Sequence, residues 1–220
     1  MVEMIQRIFV TALWVAVVAP TALAQTANLE KGEALFKTCT PCHGSAGEGL
    51  TIPDRDGEIH LAPAIAGLPQ WYVDVQLVKF KSGARGAHPQ DMQGLRMRPM
   101  SRALFTDQDR VDVSAYVASL DGVTPPVTVD GDAARGKTLY TPCISCHGPE
   151  GQGNEAMKSP PLVNMSDWYV VSSMEKFKAG YRGYDASQDQ SGVIMQAMAN
   201  TLPTDQAVRD VAAYLRTLGN

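Results

Sequence analysis

Four cysteines occur in the 220-residue chain, at Cys39, Cys42, Cys143 and Cys146. They form two C-x-x-C pairs, and a histidine follows each pair at once, His43 and His147. C-x-x-C-H is the pattern of covalent haem attachment. The two thiols add to the haem vinyl groups as thioethers, and the adjacent histidine becomes the proximal ligand of the iron. Two intervening residues on a helical turn place both sulfurs along one haem edge. A redox-active C-x-x-C needs no histidine and usually sits in a βαβ context. A four-cysteine zinc site usually separates its pairs by about 15–20 residues, whereas 100 residues lie between Cys42 and Cys143. Structural disulfides are the remaining alternative for an exported chain. Two complete motifs in register within a repeat weigh against all three.

A second axial ligand must come from later in each copy. The candidates are His60, His88, Met92, Met97 and Met100 in the first, and Met195 and Met198 in the second. His60 and His88 have no counterpart in the second copy, which places them on the surface. The methionines do repeat. Methionine is often core filler, but Met97 and Met195 hold matched positions in what reads as a loop before the last helix. Met97 and Met100 are three apart, as are Met195 and Met198, so periodicity does not choose within a pair.

The elements that position these residues are written twice. Gly32, Phe36, Cys39, Cys42 and His43 recur 104 positions later as Gly136, Tyr140, Cys143, Cys146 and His147. Pro63, Trp71, Tyr72, Lys79, Lys81, Arg85 and Gly86 recur 97 later as Pro160, Trp168, Tyr169, Lys176, Lys178, Arg182 and Gly183. Met97, Met100, Leu104, Thr106 and Asp107 recur 98 later. The drop in offset from 104 to 97 leaves about seven extra residues in the first copy, and Thr51 to His60 reads as their surface loop. Helical periodicity dominates. Leu29 to Thr38 reads as a helix running into the first cysteine. Val73, Leu77 and Phe80 share one face of a helix that Gly83 stops. Val113, Tyr116, Val117 and Leu120 form an i, i+3, i+4, i+7 stripe, with Thr106 and Asp109 as its capping pair. Nothing alternates with period two for long enough to predict a sheet. The expected fold is all-α: two tandem domains, residues 25–121 and 130–220, joined by a short stiff linker over 122–129 that contains Pro125 and Pro126. Domains under 100 residues with long loops have thin cores and need a staple, which a covalent apolar cofactor would supply.

Composition narrows the function. A 45% hydrophobic and 19% charged chain is ordinary for a globular protein. Nineteen basic and 23 acidic residues give a net charge of −4. Residues 25–121 carry 10 basic and 12 acidic groups, and 122–220 carry 8 and 10, so each half is at −2. A nucleic-acid binder would show a basic excess. Residues 1–24 combine Arg7, an apolar run from Ile8 to Val18 and the tripeptide Ala22-Leu23-Ala24, the pattern of a cleaved secretory signal peptide. A membrane anchor would need about 20 apolar residues, and Thr11, Pro20 and Thr21 interrupt this run.

Taken together, these motifs resemble the two-haem class I cytochromes c of the cytochrome c4 type, over essentially the whole mature chain. The resemblance implies two small helical cytochrome c-like domains, each around a covalent haem c. The first helix would cross the last, with Gly32 and Phe36 against Tyr116, and Gly136 and Tyr140 against Tyr214. Pro63 and Pro160 would offer their carbonyls to the proximal histidines, although Pro161 adjoins the second. The earlier methionine of each pair, Met97 and Met195, would be the second iron ligand beside His43 and His147. Such iron is six-coordinate, so the implied chemistry is single-electron transfer with no catalytic residue. The implied carrier is periplasmic and at most peripheral on the membrane. It runs from a quinol-oxidising complex or dehydrogenase to a terminal oxidase or reductase. A fixed subunit of such a complex, or a dihaem enzyme acting on thiosulfate or peroxide, are the alternatives. Thiosulfate-oxidising types use a cysteine as a haem ligand, and no cysteine is spare here. Lys81, Lys178, Arg85 and Arg182 read either as solvated helix ends or as partners for haem propionates.

Overall fold

The computed structural model describes residues 26–54 and 57–219, so the expected signal peptide lies outside the described residues. Among those residues no helix is long and apolar enough to cross a membrane. The chain is two helical repeats. The first contains α1 (Leu29–Phe36), α2 (Thr40–His43), β1 (Leu50–Asp54), β2 (Gly57–Ala62), α3 (Gln70–Ser82), α4 (Met92–Arg102) and α5 (Asp107–Ser119). The second contains α6 (Ala133–Tyr140), a 3₁₀ turn (Thr141–Cys143), α7 (Ile144–His147), α8 (Asp167–Lys178), α9 (Gln190–Ala199) and α10 (Asp205–Leu218).

Local chemistry sets the boundaries. Asn28 caps α1 by accepting from the Lys31 N–H, and Asp132 caps α6 by accepting from that of Arg135, each at 3.0 Å. Gly83 ends α3 in the left-handed region, at φ 95°. Thr106 and Asp109 form the expected capping box of α5. Two predictions need correction. The extra residues of the first copy are not a plain loop: β1 and β2 pair antiparallel as a hairpin, with Ile52 opposite Ile59. The methionines do not lie in a loop: Met97 is in α4 and Met195 in α9. Asp91 caps α4 by accepting from the Gly94 N–H at 3.0 Å, and Asp189 caps α9 by accepting from that of Gly192 at 2.7 Å.

In each repeat the first helix crosses the last. Gly32 lies so close to α5 that a Cβ there would strike the Asp112 carbonyl and come within 2.8 Å of the Tyr116 Cβ. Gly136 meets Asp210 and Tyr214 of α10 in the same way. The flanking aromatics pack tilted, Phe36 on Tyr116 at 5.4 Å and Tyr140 on Tyr214 at 5.6 Å. Two buried carboxylates pin the crossing. Asp112 accepts from the Asn28 N–H and Asp210 from the Asp132 N–H, each at 2.9 Å. Asp210 also pairs with Arg135, which holds its carboxyl far below the usual range.

The first repeat's fully buried apolar cluster is small: Phe36, Leu104, Val113 and Val117. The second repeat's cluster runs along α8 and α10, through Val170, Met174, Phe177, Val208, Val211 and Leu215. Tyr72 of the first repeat joins it, so the core is continuous between repeats.

Ion pairs across that junction are reciprocal. Lys79 Nζ reaches Asp189 at 2.5 Å, and Lys176 Nζ, its repeat equivalent, reaches Asp91 at 2.7 Å. Lys79 also donates to Ser191 and Lys176 to Gln93, at 2.9 and 2.8 Å. The two unrepeated histidines sit here too, rather than free on the surface. His60 of the hairpin stacks on Trp168 at 4.9 Å, and His88 stacks on Tyr181 at 4.3 Å. A flat imidazole offers a face for stacking, and these serve a junction that the repeat alone does not complete.

Candidate haem sites

Each C-x-x-C-H motif closes one helical turn. Cys39 is the residue before α2 and Cys143 the residue before α7, so both thiols of a pair and the histidine share one turn. Among the described residues no disulfide joins the four cysteines. Burial pushes the thiols of Cys39 and Cys143 up from their ordinary value.

His43 and His147 are buried. His43 Nδ1 lies 2.9 Å from the Pro63 carbonyl oxygen, and His147 Nδ1 lies 2.9 Å from that of Pro160. A carbonyl oxygen only accepts, so Nδ1 carries the proton and donates. That tautomer leaves the Nε2 lone pair for a metal, with the ring orientation fixed by the second contact. Burial lowers both imidazole pKa values, and the proline carbonyls partly offset it. The neutral ring is the ligating form. The choice between Pro160 and Pro161 falls on Pro160.

An apolar cavity opens against the first motif. Cys39, Cys42 and His43 line one side, Pro63, Leu77 and Phe80 continue the wall, and Met97 and Met100 both face it from α4. Trp168 and Tyr169 of the second repeat close part of the rim. In the second repeat Met195 packs against the same core as Cys143, Phe177 and Leu202.

The junction beside this cavity holds two guanidinium groups. Arg85 and Arg182 are 7% and 8% exposed, so they are not solvated helix ends. Arg85 donates to Gln76 Oε1 at 2.7 Å and to the Tyr169 hydroxyl at 2.8 Å. Each lies over a phenyl ring at 4.3 Å, Arg85 on Phe80 and Arg182 on Phe177. Neither is ion-paired with a carboxylate among the described residues, and Arg85 Nε is buried without a hydrogen-bond partner. Burial would raise the Tyr169 hydroxyl pKa, but the two arginines outweigh it and hold it below the ordinary value. Tyr72 goes the other way, raised by burial and by Tyr169 beside it. Two buried cations with no carboxylate in ion-pair contact among the described residues can take anionic groups from elsewhere.

Haem c fits this set. Its precursor is an apolar disc with two vinyl groups at one edge, which the thiols convert to thioethers, and two carboxylates at the other. The thiols, the oriented imidazole, the apolar wall and the unmatched arginines correspond to those parts in order. The repeated Asp91 and Asp189 were not singled out from sequence. Their equal spacing from Met97 and Met195, six residues before each, was the available signal.

A covalent haem site built twice along one chain defines a dihaem c-type cytochrome. Sequence similarity to the cytochrome c family covers residues 29–121 and 133–219, and the chain belongs to that family. It is 27% identical over 213 residues to cytochrome c4 of Azotobacter vinelandii, spanning 90% of this chain and 93% of the relative. It is 28% identical over 192 residues to the cbb3-type cytochrome c oxidase subunit FixP of Bradyrhizobium diazoefficiens, with 86% of this chain and 60% of that subunit aligned. The fold matches reduced recombinant cytochrome c4 from Pseudomonas stutzeri with a TM-score of 0.65 at 25% identity, covering 87% of this chain and 98% of that one. The protein is therefore of the dihaem cytochrome c4 type and carries two covalent haem c groups.

Proposed function

We propose that the protein is an exported, periplasmic single-electron carrier with His–Met ligation at both irons. It would take electrons from a quinol-oxidising complex or a dehydrogenase and pass them to a terminal oxidase or reductase. Cys39, Cys42, Cys143 and Cys146 hold the haems covalently. His43 with Met97, and His147 with Met195, are the proposed axial pairs. The observation that carries this reading is the first cavity, where Met97 of α4 lines the same apolar space as Cys39, Cys42 and His43. When bound, haem c supplies a one-electron iron couple, and a methionine ligand raises its potential. The chain's own residues do the rest. The Pro63 and Pro160 carbonyls hold the imidazole tautomer and orientation. The apolar wall excludes water, and Arg85 and Arg182 match the propionate charge at the junction. With both axial positions filled by the chain, no substrate position is left and no enzymatic turnover is proposed.

Separate Met97→Ala, Met100→Ala, Met195→Ala and Met198→Ala variants test the ligand assignment. Met97→Ala and Met195→Ala should each abolish the ferric sulfur-to-iron absorption band of one haem and admit carbon monoxide to its reduced form. If Met100→Ala or Met198→Ala does so while its neighbour's substitution leaves the band intact, the assignment is wrong for that repeat. Similarity to an oxidase subunit supports a second reading, a fixed component of an oxidase complex. Purification from native membranes and periplasm distinguishes the two: a carrier elutes alone.

A further inference from the structure

The peptide unit between Pro63 and Ala64 is engaged at both ends. Its carbonyl oxygen accepts from His43 Nδ1 at 2.9 Å, and its N–H donates to the Ser166 hydroxyl oxygen at 3.2 Å. Ser166 belongs to the second repeat, where it is the N-cap residue of α8. His43, Ala64 and Ser166 are all buried. One amide therefore links the proximal imidazole of the first repeat to a side chain 102 positions beyond Ala64. The β1–β2 hairpin, which ends at Ala62, adds a second hold at the same place: its His60 stacks on Trp168, which follows Ser166 closely in α8.

The second repeat is built to lack this link. Its matching peptide joins Pro160 to Pro161, and the carbonyl accepts from His147 Nδ1 at the same 2.9 Å. Pro161 has no N–H to donate. The residue that matches Ser166 is Pro69, the N-cap residue of α3, and it has no hydroxyl to accept. Both halves of the bond are missing, so no side-chain rotation restores it. The peptide is otherwise held alike. A Cβ on Gly49 would come within 2.6 Å of the Ala64 nitrogen, and one on Gly153 within 2.4 Å of the Pro161 nitrogen. At this peptide the two sites share the glycine contact and differ in the hydrogen bond.

Hydrogen bonds in series polarise one another. An amide whose N–H is donating carries more charge on its oxygen, and that oxygen pulls harder on the His43 Nδ1 proton. The imidazole becomes a more basic ligand, which favours ferric over ferrous iron and lowers the potential. Resting on the proximal role of His43 proposed above, we propose that Ser166 is a positioning residue for the first haem: by holding the Ala64 N–H across the junction, it sets that haem's potential below the value the same ligands give without it. The second haem, behind a proline–proline peptide, receives no such contribution. By this route the second repeat tunes the first, and the first does not tune the second.

The test is redox titration of the mature dihaem protein, followed by proton NMR so that each haem is read separately. Ser166→Ala should raise the first haem's potential and leave the second unchanged. The expected change is about threefold in the reduction equilibrium constant, or about 28 mV at about 59 mV per tenfold. In the reduced protein the His43 Nδ1 proton should move upfield as its bond weakens. A junction that had merely loosened would admit water to the haem edge, stabilise the charged ferric site and lower the potential, the opposite sign. The converse variant, Pro69→Ser/Pro161→Ala, supplies both missing groups and should lower the second haem's potential by a similar factor. An unchanged or lowered first potential in Ser166→Ala overturns the proposal, as does an unchanged or raised second potential in the converse variant, and in either case an intact low-spin spectrum leaves the ligand reading standing. If the wild type shows no low-spin, histidine-bound haem in the first repeat, the ligand reading fails and the proposal falls with it.

Discussion

Lys176→Met removes one of the two reciprocal ion pairs, and the structure bounds its effect. The Asp91 side chain is 1% exposed and Lys176 is 15% exposed, at 2.7 Å. Burial would raise the Asp91 pKa, but Lys176 and the Gly94 N–H outweigh it and hold it below the ordinary value. Removing one partner of a buried pair costs about 3–5 kcal/mol. Two features reduce that figure here. Lys176 still reaches water, and Asp91 retains the Gly94 N–H at 3.0 Å. Protonation sets a ceiling, since raising a carboxyl from about 3.9 to 7 costs about 4 kcal/mol. The expected loss is about 2–3 kcal/mol, or about 4–12 °C in Tm if the two repeats unfold together. Lys79→Met should cost less, because Asp189 keeps two donors, the Gly192 N–H at 2.7 Å and the Ser191 hydroxyl at 3.2 Å. The assay is denaturant unfolding of the holoprotein for Lys176→Met, Asp91→Asn and the double variant. A coupling energy of about 1–2 kcal/mol is expected. A value under about 0.5 kcal/mol, typical of exposed pairs, would refute the premise that this contact is a buried tie between repeats.

Three further outcomes are expected. Gly136→Ala should lower stability by about 1–3 kcal/mol in denaturant titration despite the better helix propensity of alanine, because the new Cβ meets the Asp210 backbone, which cannot rotate away; unchanged stability would mean the crossing is loose. Asp109, held down to about 2 by Lys31 and the Thr106 N–H, contributes stability that is present above its unfolded value of about 3.9 and lost as pH falls towards 2. Melting temperatures between pH 5 and 2 should therefore fall more steeply for the wild type than for Asp109→Asn, and parallel curves would contradict this. Intact-mass measurement of the exported protein should give the chain from Gln25 plus two haems; a single haem would refute the double site, and a start at Met1 would refute cleavage.

Much of this was legible in the sequence because repetition acts as an internal control. The spacing of Cys39, Cys42 and His43 is short-range chemistry, and its recurrence at Cys143 located both sites. Gly32 and Gly136 marked the helix crossing because only a missing side chain allows that approach. Helix periodicity found α3, α5, α8 and α10. It missed α4 and α9, since Pro99 interrupts the first and the second is only ten residues long. The hairpin escaped because Pro53 and Asp54 disrupt alternation in a strand only five residues long. Arg85 and Arg182 look like ordinary helix-end cations until the second repeat folds over them. That contact joins residues 84 apart, a distance at which no local pattern operates.

Lys79 contacts Asp189 while Lys176 contacts Asp91, and Tyr72 meets its own counterpart Tyr169. This is the signature of an isologous dimer, in which one patch binds a copy of itself across a twofold axis. The chain is thus a dimer whose subunits have been tied in series by the segment around Pro125 and Pro126. Covalent tethering frees the halves from concentration-dependent assembly and lets them diverge. The hairpin and the Ser166 hydroxyl occur on one side only, which no true homodimer could achieve. Symmetry preserved in the ion pairs and broken around them gives a molecule with two like centres in two unlike settings.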